Sequence, residues 1–143
     1  MLAVITVITS GCTTEKSTPP ASCLAGAQPV VRALRSAPGA VRLEDGTGLS
    51  TCLKRAQRDA DLQQVGVLFT QAADALAIQA RRSDAAAVSL GYLIAAARRG
   101  ARTTNGLAAE LVRRLEQSTG TDGPPLPHRA AFQRGLAAGE RLG

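Results

Sequence analysis

Few side chains in this sequence are of types that carry out acid–base or nucleophilic catalysis, and none lies in a familiar catalytic motif. His128 is the sole histidine and follows Pro127, a position typical of a helix start at the surface, where a bystander role is favoured. Ser89 is followed by Leu90 and Gly91, which is not the nucleophile-elbow pattern of serine hydrolases. The sequence therefore disfavours serine hydrolase chemistry.

Asp59 and Asp61 form a closely spaced pair of carboxylates, the residue type that a glycosidase or a metal site needs. Residues two positions apart on a helix point in different directions, so we interpret the pair instead as capping residues near a helix break. The sequence contains no HExxH, EF-hand, P-loop or dinucleotide-binding motif. It predicts no enzyme, no cofactor and no metal site.

The first 12 residues carry a different kind of signal. An apolar run over positions 2–8 is followed by Thr9, and then Ser10 and Gly11 stand directly before Cys12. This arrangement resembles the processing site of bacterial lipoprotein precursors, although Thr9 stands where leucine is usual and no lysine or arginine precedes the run. The resemblance implies cleavage before Cys12, acylation of its thiol by fatty chains such as palmitate, and anchoring to the extracytoplasmic face of the bacterial cell membrane.

These features predict a signal peptide over 1–11, a polar tether over 12–22 and a single helical domain over 23–143. Two alternatives remain open. The nearly all β-branched run from Val4 to Ile8 also suits a buried N-terminal strand. A miscalled start would make the chain a soluble cytosolic helical protein with reduced thiols and no lipid.

The number of cysteines agrees with the lipoprotein interpretation. Three cysteines in an exported chain leave one unpaired, and acylation of Cys12 would use that one. Cys23 and Cys52 are then predicted to form a disulfide that closes about 30 residues and stabilises the fold by about 3.5 kcal/mol. The alternative is two buried free thiols in a cytosolic protein. Neither cysteine lies in a CxxC pair or near a histidine, which disfavours redox catalysis and zinc binding.

The domain that follows the tether is about 120 residues long, which is enough for one hydrophobic core. The chain has no tryptophan, two phenylalanines and a single tyrosine, Tyr92, so alanine, leucine and valine must fill that core. Such small side chains bury little area each, which makes a disulfide more valuable. Because Tyr92 combines an apolar ring with a polar tip, an alternative prediction is a small-ligand carrier or enzyme with its pocket among the helices near this residue.

Apolar residues recur at helical spacing through most of the domain. This pattern predicts an all-α fold, a small bundle of four to five helices clipped by the disulfide. One short irregular or hairpin segment is expected over 38–50, and a Pro/Gly loop over 118–127. The predicted helices lie within 23–36, 51–82 with a break near 59–61, 84–98, about 105–117 and 128–142.

Apolar stripes predict which helix faces are buried. The longest helix has one stripe: Leu62, Val65, Phe69, Ala72 and Leu76. The helix that ends near 117 has another: Leu107, Ala108, Leu111, Val112 and Leu115. The helix between them is apolar over about ten residues from Val88 to Ala97, against the roughly 20 needed to cross a bilayer, and is predicted to be the central core helix.

The last helix has a weak stripe. Gly135 and Gly139 each lower helix stability by about 1 kcal/mol relative to alanine. Their GxxxG spacing permits close helix contact, but it has little specificity outside a membrane. The sequence therefore leaves open whether this helix docks on the bundle or frays.

Basic residues give the chain a formal net charge of +6, with 15 arginines and 2 lysines. We discount nucleic acid as a partner. Abundant arginine with alanine is expected from GC-rich coding as much as from selection for phosphate contacts, and almost no aromatic side chains are present for base stacking. Arg98, Arg99 and Arg102 gather at a helix C-terminus, where the helix dipole favours cations. They are also candidates for contacts with an anionic surface, such as lipid headgroups beside the anchor.

Together these observations predict an exported, membrane-anchored lipoprotein that acts as a binding or assembly module of the cell envelope. Its expected partners are the membrane, through the lipid on Cys12, and an envelope protein or anionic polymer. The sequence does not define which partner is bound or how many copies assemble.

Overall fold

The computed structural model describes residues 17–104, 106–119 and 126–143. It confirms the all-α fold class, and the described residues contain no β-strand. Short 3-10 helices at Ala21–Leu24 and Leu34–Ser36 flank the first α-helix. The α-helices are α1 (Ala27–Ala33), α2 (Leu49–Arg55), α3 (Asp59–Ala80), α4 (Asp84–Ala101), α5 (Gly106–Gln117) and α6 (Arg129–Leu142). Most of the Pro/Gly loop predicted over 118–127 lies outside the described residues.

Helix α4 is the centre of the bundle, as its apolar composition predicts. Ser83 caps the helix, because its side-chain oxygen accepts a hydrogen bond from the N–H of Ala86 at 3.3 Å. Every residue from Ala86 to Ala97 is buried, so α4 has neighbours on all sides. A helix that is apolar all round must be covered in this way, and α2, α3, α5 and α6 all pack against it.

Helix α3 begins earlier than the break predicted near 59–61 implies. The predicted break near 59–61 lies instead at Ala56 to Arg58, so that Asp59 and Asp61 are in the first turn of α3. Acidic residues there are favoured by the helix dipole. Arg58 donates from its Nε and Nη2 atoms to the two carboxylate oxygens of Asp61, at 2.6 and 3.0 Å. The stripe that begins at Leu62 is buried along its whole length, as predicted.

Helix α6 docks on the bundle, and its glycines are the reason that it can. It runs parallel to α4, since Val88 lies against Gly135 and Ala96 lies against Gly143. A Cβ atom on Gly135 would overlap the carbonyl group of Val88, with the carbonyl carbon only 2.8 Å away. On the facing helix, a Cβ on Gly91 would lie 2.9 Å from the backbone nitrogen of Leu136. The two backbones are therefore in direct contact.

A disulfide joins Cys23, in the first 3-10 helix, to Cys52 in α2, which confirms the predicted pairing. Both residues are fully buried. The chain between the second 3-10 helix and α2 is irregular and includes a turn in which the N–H of Leu43 donates to the Thr47 carbonyl at 2.9 Å. Gly46 takes a positive φ of 83° in this turn. The disulfide and the buried side chains of Val41 and Leu43 hold the segment against the helices.

Candidate functional site

Tyr92 lies deep in the core and is fully buried. Its hydroxyl oxygen accepts a hydrogen bond from the backbone N–H of Val41 at 3.2 Å, which satisfies a donor in the irregular segment before α2. Tyr92 lines neither of two cavities that lie among the described residues. The Tyr92 hydroxyl, whose polarity suggested a ligand pocket, therefore attaches the irregular segment to the central helix.

The larger cavity is an open groove of about 550 Å³ between α3 and α5. Leu111 packs against Gly66, where a Cβ atom would come within 3.3 Å of the leucine side chain, and the missing side chain makes room between the helices. The groove is lined by Leu62, Gln63, Gly66, Val67, Thr70, Gln71, Leu107, Glu110, Leu111 and Arg114. It has an apolar floor and a polar rim open to solvent.

Two apolar side chains at the groove are unusually exposed. Val67 is 55% exposed and Leu107 is 45% exposed. The prediction that Leu107 belongs to the buried stripe of α5 is wrong, because α5 turns only Ala108, Leu111 and Leu115 fully inward. Val67 lies outside the predicted stripe of α3. An apolar residue away from the buried face was the one feature of the sequence that pointed to this groove.

The rim of the groove carries one ionised cluster on α5. Glu110 accepts hydrogen bonds from Arg113, at 2.8 and 2.9 Å, and from Arg114 at 3.2 Å. These bonds, from Arg113 first and Arg114 second, lower the pKa of Glu110 to about 2. They also raise the pKa of Arg113. The cluster is charged at any physiological pH and offers no group poised to exchange a proton.

Arg98, Arg99 and Arg102 are brought together at the end of α4, but each has a partner within the protein. The Nε atom of Arg98 donates to a carboxylate oxygen of Glu116 in α5 at 2.8 Å. The Nη1 atom of Arg99 donates to the carbonyls of Glu140 and Arg141 in α6, at 2.9 and 2.8 Å. Arg102 pairs with the Glu140 carboxylate.

This cluster therefore connects α4 to the ends of α5 and α6. The hydrogen bonds occupy donors of all three guanidinium groups. The predicted contact of these arginines with an anionic surface stays a prediction.

The other polar residues singled out in the sequence lie apart from one another. The hydroxyl of Ser89 is buried and donates to the Leu34 carbonyl at 2.9 Å. His128 precedes α6 and pairs through Nδ1 with the carboxylate of Asp84 at the start of α4. Within the described ranges no three histidine, cysteine or acidic side chains converge as metal ligands would. The structure brings none of these residues to the groove.

Cys12, the predicted lipidation site, lies outside the described residues, as do positions 12–16 of the predicted tether. None of the described helices has the length and apolar character required to span a bilayer. Comparisons with protein-family models, with curated proteins and with solved structures found no match to this chain.

Proposed function

We propose that this protein is an exported lipoprotein, anchored through Cys12 at the extracytoplasmic face of a bacterial membrane, whose helical domain binds an apolar helical segment of another envelope protein. The groove between α3 and α5 is the binding surface. The observation that carries this proposal is the pair of exposed apolar side chains, Val67 and Leu107, on the two sides of an open apolar groove.

Two features support a location in the cell envelope. Cys12 follows an apolar run and two small residues, as in lipoprotein precursors. Cys23 and Cys52 are joined, and disulfides persist in oxidising compartments such as the periplasm. A cytosolic protein would be expected to keep these two thiols reduced.

The form of the groove suits a helix as its occupant. A cleft between two helices receives an amphipathic helix through apolar side chains spaced three and four residues apart. From Leu62 to Gln71 the groove follows α3 for roughly 14 Å, which corresponds to two to three turns of a partner helix. The amides of Gln63 and Gln71 and the charges of Glu110 and Arg114 can pair with polar groups that border the apolar face of the partner.

Site-specific photo-crosslinking in cells tests the proposal. A photo-reactive amino acid at position 67 is expected to form one discrete adduct in the membrane fraction, with an amphipathic segment of an envelope protein. The matched control is position 78, because Ile78 is also an exposed apolar residue of α3, at 73%, but does not line the groove. Position 78 is expected to give no such adduct.

A second substitution distinguishes binding in the groove from nonspecific hydrophobic association. L107D places a charge in the groove at an exposed position, so the fold should tolerate it while the adduct from position 67 is lost. I78D adds the same charge outside the groove and should leave the adduct unchanged. Equal adducts from positions 67 and 78, or an adduct that survives L107D, would contradict the proposal.

A further inference from the structure

The chain is attached to the folded body from Ser17 onward. The Ser17 hydroxyl donates to the carbonyl of Arg55, in the last turn of α2, at 3.3 Å. Pro19 is buried, and the Ser22 hydroxyl donates to the Asp45 carboxylate at 2.7 Å. Much of the predicted tether over 12–22 is therefore packed against the domain. Only the short stretch before Ser17 is left to connect the domain to Cys12.

The length of this stretch limits where the membrane can be. Five residue steps separate Cys12 from Ser17, and a fully extended chain of that length spans at most roughly 18 Å. Helix α3, with 22 residues, is about 33 Å long. A lipid on Cys12 therefore keeps one particular end of the bundle close to the headgroups, while the other end is free to tilt away.

That end of the bundle carries exposed cations. We call it the basic end, defined by Ser17, Lys54, Arg55, Arg99 and the C-terminus of α4. Lys54 belongs to this end because it shares a small cavity with Thr103, just beyond α4. Lys54 and Arg55 are exposed, and none of the ion pairs among the described residues involves them.

Apart from Lys54 and Arg55, the charges at the basic end nearly cancel. Arg99 is exposed and is bonded to carbonyls rather than to a carboxylate, so it keeps a net positive charge. Asp59 is the acidic residue beside Lys54 in the same small cavity. Arg58 is paired with Asp61, and Arg102 is paired with Glu140. The unpaired cations thus outnumber the unpaired carboxylates among these described groups.

We propose that the basic end lies against anionic lipid headgroups, with Lys54 and Arg55 as its principal contacts, so that the domain stands on the membrane in a fixed orientation. The proposal rests on the proposed anchor at Cys12. It moves the expected headgroup contacts from Arg98 and Arg102, which are paired with carboxylates, to two cations that have no such partner among the described residues. Each basic residue at an anionic surface strengthens membrane binding roughly fivefold.

The short connection between Cys12 and Ser17, and not charge alone, determines which end of the bundle faces the membrane. Arg81 and Arg82 form a similar exposed pair in the turn between α3 and α4, at the opposite end of the bundle. They lie too far from Ser17 to share the headgroup surface in an upright domain. The orientation also has a consequence for the groove: Leu62 lines both the groove and the small cavity beside Lys54, so the groove begins near the membrane.

Fluorescence quenching on vesicles tests the orientation. The acylated protein is purified from the membrane fraction, its lipid is verified by intact mass, and a fluorophore is attached through T103C or A85C at the two ends of α4. It is reconstituted into phosphatidylcholine vesicles with or without phosphatidylglycerol, which contain a headgroup-level quencher. With anionic lipid we expect the fluorophore at 103 to be quenched at least threefold more than the one at 85.

Charge reversal then tests the contacts. K54E/R55E is expected to abolish the gain in quenching at 103 that anionic lipid provides, whereas the matched control R81E/R82E should preserve it. Equal quenching at the two ends, no effect of phosphatidylglycerol, or equal effects of the two double variants would overturn the proposed orientation while leaving the anchor intact. A purified protein without acyl mass would overturn the anchor and this inference with it.

Discussion

The single tyrosine of this chain, Tyr92, lies in the core, where its hydroxyl accepts a hydrogen bond from the Val41 N–H. We predict that Y92F destabilises the protein by about 1–2 kcal/mol, because it leaves a buried backbone donor without an acceptor. S118A is the control, since it also removes a hydroxyl bonded to the backbone, here donating to the Leu115 carbonyl, but at a half-buried position. Its cost should stay below about 0.5 kcal/mol. Urea unfolding measures both, and equal costs would contradict this role for Tyr92.

Glu110 has a pKa of about 2 in the folded protein, against 4.5 as its ordinary value. Because the folded-state pKa is the lower one, the stabilisation from its bonds to Arg113 and Arg114 is fully present above pH 4.5 and is lost as the pH falls toward 2. We predict that E110Q is less stable than the natural protein at pH 6 and that the difference shrinks steadily below pH 4.5. An NMR titration of the Glu110 carboxyl near its ordinary pKa would disprove this prediction.

Individual residues show where sequence patterns stop being informative. The stripe on α3 correctly identified Leu62 and Phe69 as core residues, since helical spacing alone determines which side chains share a face. The same rule failed for Leu107, because burial also requires a neighbouring element, and at that position α3 and α5 diverge into a groove. The bond between Tyr92 and Val41 joins residues 51 positions apart, and no local pattern signals it.

At the scale of helices, the contact of α6 with α4 depends on the absence of side chains. We predict that G135A destabilises the protein by at least about 2 kcal/mol, because the added Cβ forces the two backbones apart. This loss should occur even though alanine by itself favours a helix by about 1 kcal/mol.

G106A is the matched control, since a Cβ at Gly106, at the start of α5, meets nothing within 4 Å beyond its own local backbone. It should be neutral or slightly stabilising in the same denaturant experiment. Equal effects of the two substitutions would show that α6 does not pack as closely as the structure indicates.

The glycines of α6 also show why the sequence left this helix undecided. Gly135 and Gly139 lower intrinsic helix stability, which suggested fraying as one outcome. Their benefit depends on close approach to the backbone of Val88 and Tyr92, on a helix more than 40 residues earlier. A pattern within one helix cannot reveal its partner, so the existence of α6 was predictable but its docking was not.

At the scale of the molecule, the disulfide compensates for a core with few large side chains. Cys23 and Cys52 are 29 positions apart, and a loop of that length predicts a loss of about 3.5 kcal/mol in C23A/C52A. Chemical unfolding of the variant and of the oxidised natural protein measures the difference. Reduction of the natural protein should lower its stability by a similar amount. A change below about 1 kcal/mol would show that the bond contributes little.

The general architecture was readable from the sequence because helical spacing, cysteine number and the positions of glycine and proline all agree. The number of helices was less accessible, since the short helix α1 packs against α3 and the short helix α2 packs against α4, and neither has a strong sequence pattern of its own. The candidate groove and the basic end depend on contacts between separate helices. Only the structure brings Leu107 and Val67 to one groove, or Ser17 beside Arg55.

The intact mass of the protein recovered from the membrane fraction, before and after reduction, tests the central claim most directly. We predict a chain that begins at Cys12, carries the added mass of its acyl groups, and gains about two daltons on reduction as one disulfide becomes two thiols. An unmodified chain that retains Met1 and does not change on reduction would contradict both the anchor and the oxidised state.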